Sequence, residues 1–244
     1  MQLDIAVLTE QGGRSANEDA CSHWTGDGMC FAVIADGAGG HRGGPIASRL
    51  AVNQLLTALR TKRECSAAAV EAAMKTANDA LVREQKARAR FADMRTTAVV
   101  LALDTERALA AWGHLGDSRL YCFRDSRIVV QTRDHSVVQT MVDAGYLKPE
   151  QMRSSPDRNK LLSAFGDEDQ FDPAIQRETF AIRGGDKFLL CTDGLWEYVQ
   201  EAEMEQALYE CGSAQSWLDK LKRHVMVRAK RKHDNYSAIA VWCG

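Results

Sequence analysis

The sequence predicts an α+β fold in which antiparallel sheets are covered by helices. Three observations predict it: two helical stretches precede a run of short β-type segments, two further helices follow, and one strand closes the chain. Strand and helix do not alternate strictly, which disfavours a doubly wound parallel sheet.

Residues 45–62 carry Ile46, Leu50, Val52, Leu55, Leu56 and Leu59 near helical spacing, and residues 66–89 are rich in alanine. Both stretches predict helices that pack as a pair. Pro45 suits the first turn of the earlier helix, where its missing N–H has no partner to lose, and Ser66 can cap the later one. From Thr96 the pattern switches to TTAVVLAL, RALAAWGHLG, SRLYCFR and RIVVQT, separated by Asp104-Thr105, Gly116-Asp117 and Asp125-Ser126. Short apolar runs between turn residues predict an antiparallel meander. Residues 136–166 break that rhythm with a short helix capped by Ser136 and a polar segment holding Pro149 and Pro156, which predicts a mobile flap near 137–163. QRETFAI and KFLLCTD predict strands, residues 201–210 and 213–229 predict helices, and YSAIAVW predicts the closing strand.

With 244 residues, 45% of them apolar, the chain can bury a sizeable core, and one domain over 1–244 is expected. The 31 basic and 33 acidic side chains leave a net charge of −2, so no overall field draws it to nucleic acid or an anionic membrane. No basic, apolar leader opens the sequence, and no run approaches the roughly 18 apolar residues that span a bilayer. A cytoplasmic monomer without membrane or nucleic-acid partners is the expectation. Seven scattered cysteines without a CxxC pair read as reduced, buried thiols rather than a disulfide framework or a zinc site.

One local pattern occurs twice. FAVIADGAGG and FLLCTDGLWE each run an apolar strand into an Asp-Gly pair, at Asp36-Gly37 and Asp193-Gly194. A buried strand delivers its carboxylate rigidly, and the glycine lets backbone come close to a ligand or offer a carbonyl to a hard cation. Glu18-Asp19, Asp117 and Asp234-Asn235 lie at comparable strand ends. Carboxylates that converge repel one another unless a cation neutralises them, so such a cluster is more plausible as a metal cage than as an empty site. An all-oxygen donor set selects magnesium, manganese or calcium over zinc or copper.

Taken in order, Arg14, Asn17-Glu18-Asp19, Asp36-Gly37-Ala38-Gly39-Gly40-His41, Thr96-Thr97, Gly116-Asp117-Ser118-Arg119, Asp134-His135-Ser136, Thr192-Asp193-Gly194-Leu195-Trp196 and Asp234-Asn235 resemble the PP2C-type, or PPM, metal-dependent serine/threonine phosphatases in their compact bacterial form. The resemblance covers essentially the whole chain. It implies a four-layer αββα sandwich, two central antiparallel sheets flanked by helix pairs, with metals in a cleft at one end. It also implies two divalent ions, Mn2+ or Mg2+, and a third, weaker site. Asp36 would bridge two ions, Asp193 and Asp234 would complete the first site, and Gly37 and Glu18 would serve the second. Asp117 and Asp193 would hold the third, while Asp19 and Asn235 support from behind. Arg14 is implied as the phosphate clamp, since a planar guanidinium grips two phosphate oxygens at once.

The implied reaction is hydrolysis of phosphoserine and phosphothreonine on proteins by a metal-activated water, opposing a cognate serine/threonine kinase. The alternatives are a catalytically silent scaffold that binds phosphoproteins and a phosphatase of a small-molecule phosphate ester. Animal members carry a histidine after the first Asp-Gly where this chain has Ala38, which leaves the general acid open between His41 and a metal-bound water. Asp134-His135-Ser136 cannot form a hydrolytic triad, because consecutive residues cannot act as nucleophile, base and orienter. Arg95 reads as a solvated strand-end residue. The basic stretch KLKRHVMVRAKRK, residues 220–232, reads as cations complementing a helix C-terminus, with docking of acidic phosphoproteins as the other reading.

Overall fold

The computed structural model describes residues 1–38 and 40–244, the side chains of 40–42 excepted, so His41 as a proton donor lies outside the described residues. In chain order, β1 (Leu3–Glu10), β2 (Asp19–Gly26) and β3 (Met29–Ala38) lead into α1 (Gly40–Lys62) and α2 (Ala67–Ala87). Strands β4 (Arg95–Thr96), β5 (Ala98–Asp104), β6 (Leu109–Leu115), β7 (Arg119–Arg124) and β8 (Arg127–Gln131) follow. After α3 (Val137–Asp143) come β9 (Ala174–Ile175), β10 (Phe180–Ala181) and β11 (Lys187–Cys191). The chain ends with α4 (Asp193–Trp196), α5 (Glu201–Glu210), α6 (Ala214–Arg228) and β12 (Tyr236–Cys243).

Two antiparallel sheets form the centre. One runs β1-β12-β11-β7-β8; the other runs β10-β6-β5-β3-β2, with β4 on β3 and β9 on β6. Successive strand residues face opposite ways. In β3, Cys30, Ala32 and Ile34 therefore meet Leu120, Phe188 and Ile239 of the other sheet, while Phe31 and Val33 meet Leu55, Leu59 and Met74 of α1 and α2. Both faces are covered, which explains why β3 reads as one continuous apolar run. On the opposite outer face, Trp217, Leu221 and Val225 of α6 and Met204 of α5 cover Tyr121, Leu189 and Ala240. The layers are helix pair, sheet, sheet, helix pair, as expected.

Several local expectations hold. Ser66 accepts from the Ala69 N–H at 3.1 Å and Ser136 from that of Gln139 at 3.3 Å, each capping its helix. All seven cysteines are free thiols as expected, but only Cys30, Cys122, Cys191 and Cys243 are buried, Cys21, Cys65 and Cys211 being half-buried. Arg95 departs from the solvated residue expected: it is half-buried and donates to the Met94 carbonyl at 3.1 Å. Among the described residues no helix is long and apolar enough to cross a membrane.

Three expectations need correction. Pro45 sits inside α1, which begins earlier, at Gly40. The segment after Thr96 is not a single meander: β5 pairs with β6 and β7 with β8, but β6 and β7 belong to different sheets. The chain crosses the sandwich at Gly116-Asp117-Ser118, where Gly116 adopts φ of 99°. Strands β1 and β2 escaped the sequence reading because polar and apolar residues mix in both, as in DACSHWTG.

A buried network stiffens this crossing. Arg119, only 4% exposed, donates two hydrogen bonds of 2.8 Å to Asp134 and lies over the Trp196 ring at 3.6 Å. The Trp196 indole N–H donates to the Asp117 carbonyl at 2.9 Å. Removing Asp134 leaves the buried guanidinium only a 3.4 Å contact to Glu201 and a hydrogen bond to the Tyr121 hydroxyl, so Asp134→Ala is expected to cost about 3 kcal/mol in a urea unfolding titration. A loss under about 1 kcal/mol would show that water reaches the guanidinium readily.

Candidate active site

At one end of the sandwich, strand ends and loops enclose a cleft of about 320 Å³. Arg14, Glu18, Asp36, Gly37, Asp117, Asp193, Asp234 and Asn235 all line it, with Thr97, Asn159 and Leu161. The residues expected to hold metal or phosphate, with Asn235, are thus brought to one place, and Asp19 stands behind them. Asp19 pairs in register with Asp36 across β2 and β3 and accepts from the Thr192 hydroxyl at 2.9 Å. A larger concavity of about 730 Å³ opens beside α3, but of its three carboxylates Asp134 and Asp143 are already paired with arginines, which leaves Asp172 alone. Size does not select the site; the convergence of carboxylates does.

Each acidic group is delivered by a different device. Asp36 rides the end of β3, where Thr96 and Thr97 fix its backbone. The Thr96 hydroxyl donates to the Asp36 carbonyl at 2.7 Å, and the Asp36 N–H donates to Thr97 Oγ1 at 3.2 Å. Thr97 Oγ1 in turn shares a 2.7 Å hydrogen bond with Ser118 Oγ, tying Asp36 to the turn that carries Asp117. Asp193 opens the single turn of α4 directly after β11 rather than sitting in a strand-end turn. There Gly194 is required: a Cβ would stand 1.9 Å from the Asn235 carbonyl oxygen.

Asn235 organises the loop before β2. Its amide donates to the carbonyls of Gln11 at 2.7 Å and Ala16 at 2.9 Å, and its Oδ1 accepts from the Glu18 N–H at 2.9 Å. The loop therefore holds Arg14 and Glu18 against Asp234. Arg14 pairs with Asp234 at 2.5 Å, a contact the sequence did not suggest. The supporting roles of Thr97, Ser118 and Thr192 also went unread, although all three lie within the quoted motifs. Asn159 and Leu161, contributed by the flap, left no signal in the sequence.

The electrostatics favour a bound cation. Burial, reinforced by Asp19, Asp193, Asp117 and Asp234, raises the Asp36 carboxyl well above the usual carboxylate range. Asp193 is raised likewise, by burial and then by Asp117 and Glu197. Burial also pushes Asp117 and Asp19 up to about 7. Asp19 Oδ1 and Asp193 Oδ1 are buried without a hydrogen-bond partner. Such groups are costly unless something satisfies them.

Gly44 of α1 adds a steric sign. A Cβ there would fall 2.0 Å from Glu18 Oε2 and 2.9 Å from the Gly37 carbonyl oxygen, so only glycine lets both oxygens pack this closely together against α1. Among the described residues no three His, Cys, Asp or Glu side chains form a group that could hold an ion by themselves. Hard cations complete their shells with backbone carbonyls and water, which this donor set leaves room for. The residues fit Mg2+ or Mn2+ on donor chemistry and on orphaned oxygens.

A sandwich of this topology is shared with solved serine/threonine phosphatases. The family model described as Protein phosphatase 2C matches residues 11–225, and the chain belongs to that family. It is 31% identical over 217 residues to "Protein phosphatase PhpP" of Streptococcus pneumoniae, a match covering 83% of this chain and 82% of that one. The solved serine/threonine phosphatase PstP/Ppp of Mycobacterium tuberculosis superposes with a TM-score of 0.83 at 28% identity, over 99% of this chain and 98% of that one. A PstP catalytic domain in complex with two manganese ions gives a TM-score of 0.81 at 27% identity, over 98% and 97%.

Proposed function

We propose that this protein phosphatase removes phosphate from phosphoserine and phosphothreonine with two divalent ions, Mn2+ or Mg2+, held by Asp36, Gly37, Glu18, Asp193 and Asp234. The observation that carries this reading is the meeting of five carboxylates at one cleft, where burial and mutual repulsion make the metal-free arrangement costly. Bound ions of this kind acidify a water at neutral pH and hold the charge that develops on phosphorus. Asp117 and Asp193 would offer a third, weaker position.

The protein's own groups prepare that chemistry. Arg14, half-exposed at the mouth, is placed to grip the phosphate oxygens; Asn235 keeps its loop in position. Asp19 backs the cluster through Thr192, and Thr97 with Ser118 fixes Asp36 relative to Asp117. The flap, through Asn159 and Leu161, walls one side of the cleft and would select among protein substrates.

The test is direct. Purified protein with Mn2+ should hydrolyse p-nitrophenyl phosphate and a phosphothreonine peptide, and EDTA should reduce both rates to background. Undiminished turnover in EDTA would end the metal reading, and hydrolysis confined to small-molecule esters would end the protein-substrate reading.

A further inference from the structure

The basic stretch at 220–232 divides in the fold into three paired cations, Arg223, which is exposed on α6 with no ion pair among the described residues, and three cations in the turn that follows. Lys220 pairs with Glu210, Lys222 with Glu10 and Arg228 with Glu203, so these three cations fasten α6 to α5 and β1. Lys230, Arg231 and Lys232 are exposed in the turn after α6 and make no ion pair among the described residues.

Their position matters more than their number. The turn leads straight into Asp234, which lines the cleft, and it is clamped to the loop carrying Arg14. The Gly13 N–H donates to the His233 carbonyl at 3.0 Å, and a Cβ on Gly13 would lie 2.2 Å from the Arg231 carbonyl oxygen. At about 3.5 Å of chain per residue, Lys232 stands within about 7 Å of Asp234 and Lys230 within about 14 Å. With a Debye length of about 8 Å at physiological salt, screening confines these exposed charges to a ligand that lies against the turn itself. The cleft is lined by carboxylates and suited to cations; the turn beside it, whose cations do not line the cleft, is basic and suited to anions.

We infer that Lys230, Arg231 and Lys232 form a docking rim for acidic residues flanking the phosphorylated side chain, making acidic phosphopeptides the preferred substrates. The inference rests on the protein-phosphatase reading above. Three cations beside the mouth complement two or three aspartates or glutamates on an extended peptide, and complementarity of this kind sets encounter rate and register. An exposed charge contact is worth a factor of about two to five, so three together give about tenfold.

The experiment compares phosphothreonine peptides that differ only in carrying Asp, Ser or Lys at the flanking positions, with Mn2+, at low salt and at high salt. Wild type should show a kcat/KM about tenfold higher for the Asp peptide than for the Ser peptide, shrinking at high salt. The combined variant Lys230→Glu, Arg231→Glu and Lys232→Glu should lose or invert that preference while hydrolysing p-nitrophenyl phosphate at the wild-type rate, which also shows that it folds. Equal wild-type rates on Asp and Ser peptides, or a preference that survives in the variant, would overturn the inference. So would retention of wild type on phosphatidylserine vesicles in the absence of any peptide preference, which would assign the cations to a membrane surface. Turnover of p-nitrophenyl phosphate with no peptide cleaved would instead bring down the protein-substrate reading itself.

Discussion

Replacing Asp193 with asparagine is expected to lower turnover at least a thousandfold while leaving the metal-free protein no less stable than wild type. The two effects have one cause. Asp193 is buried, its Oδ1 lacks a partner, and its carboxyl is held well above the usual range by burial and by neighbouring Asp117, Glu197 and Asp234. Asparagine keeps the shape and discards the repelling charge, so folding has nothing to lose. The ions, however, lose an anionic ligand, and a thousandfold corresponds to about 4 kcal/mol of transition-state stabilisation, within what bound metal supplies. Steady-state kinetics on p-nitrophenyl phosphate and thermal unfolding in EDTA make the comparison. A variant within tenfold of wild-type turnover would remove Asp193 from the metal site, and a large drop in its metal-free melting temperature would show that the carboxylate is structural.

Metal-free protein is expected to become less stable as the pH rises from about 6.5 to 8.5, and Mn2+ to reverse that trend. Asp19 and Asp117 are raised to about 7, and Asp36 and Asp193 are raised as well. A carboxyl raised on folding keeps a proton that the unfolded chain has released. Its contribution is therefore complete below the ordinary carboxylate range and is lost as the pH climbs through the folded value. His114 runs the other way. Burial lowers it to about 4, so its contribution is present above its ordinary value of 6.5 and is lost between 6.5 and about 4. Above 6.5 it adds no slope, and the buried thiols, which burial also raises from their ordinary 9.0, add to the fall only near the top of the window, so the step from 6.5 to about 7.5 reports the carboxyls. Ions bind the deprotonated carboxylates, so the Mn2+-induced rise in melting temperature should grow across the same window. A metal-free melting temperature that climbs from pH 6.5 to 8.5, with a Mn2+ shift independent of pH, would contradict the carboxylate cluster.

Much of the scaffold was legible because burial leaves a periodic trace. The helices α1, α2, α5 and α6 announce themselves by apolar spacing or alanine content, and Ser66 and Ser136 by capping chemistry. β3 and β11 show as apolar runs because both their faces are covered. β1 and β2 lie at sheet edges, where exposed positions interrupt the pattern, and were not read as strands. The change of sheet between β6 and β7 left only Gly116-Asp117, which serves an ordinary hairpin equally well.

The sequence by itself determined which residues could do chemistry: carboxylates ending apolar strands, a glycine after each Asp36 and Asp193, and an arginine ahead of Glu18. Those features follow from residue type and from neighbours a few positions away, and they need no knowledge of strand order. The tertiary structure alone decided that Arg14 meets Asp234, that Asn235 splints the loop of Glu18, that Thr97 and Ser118 couple Asp36 to Asp117, and that Lys220, Lys222 and Arg228 of the basic stretch are paired while Lys230, Arg231 and Lys232 make no ion pair among the described residues. All of these contacts join residues far apart in the chain. Which partners meet is set by the pairing of β2, β3, β11 and β12, a choice made by burial over the whole sandwich rather than by any local pattern.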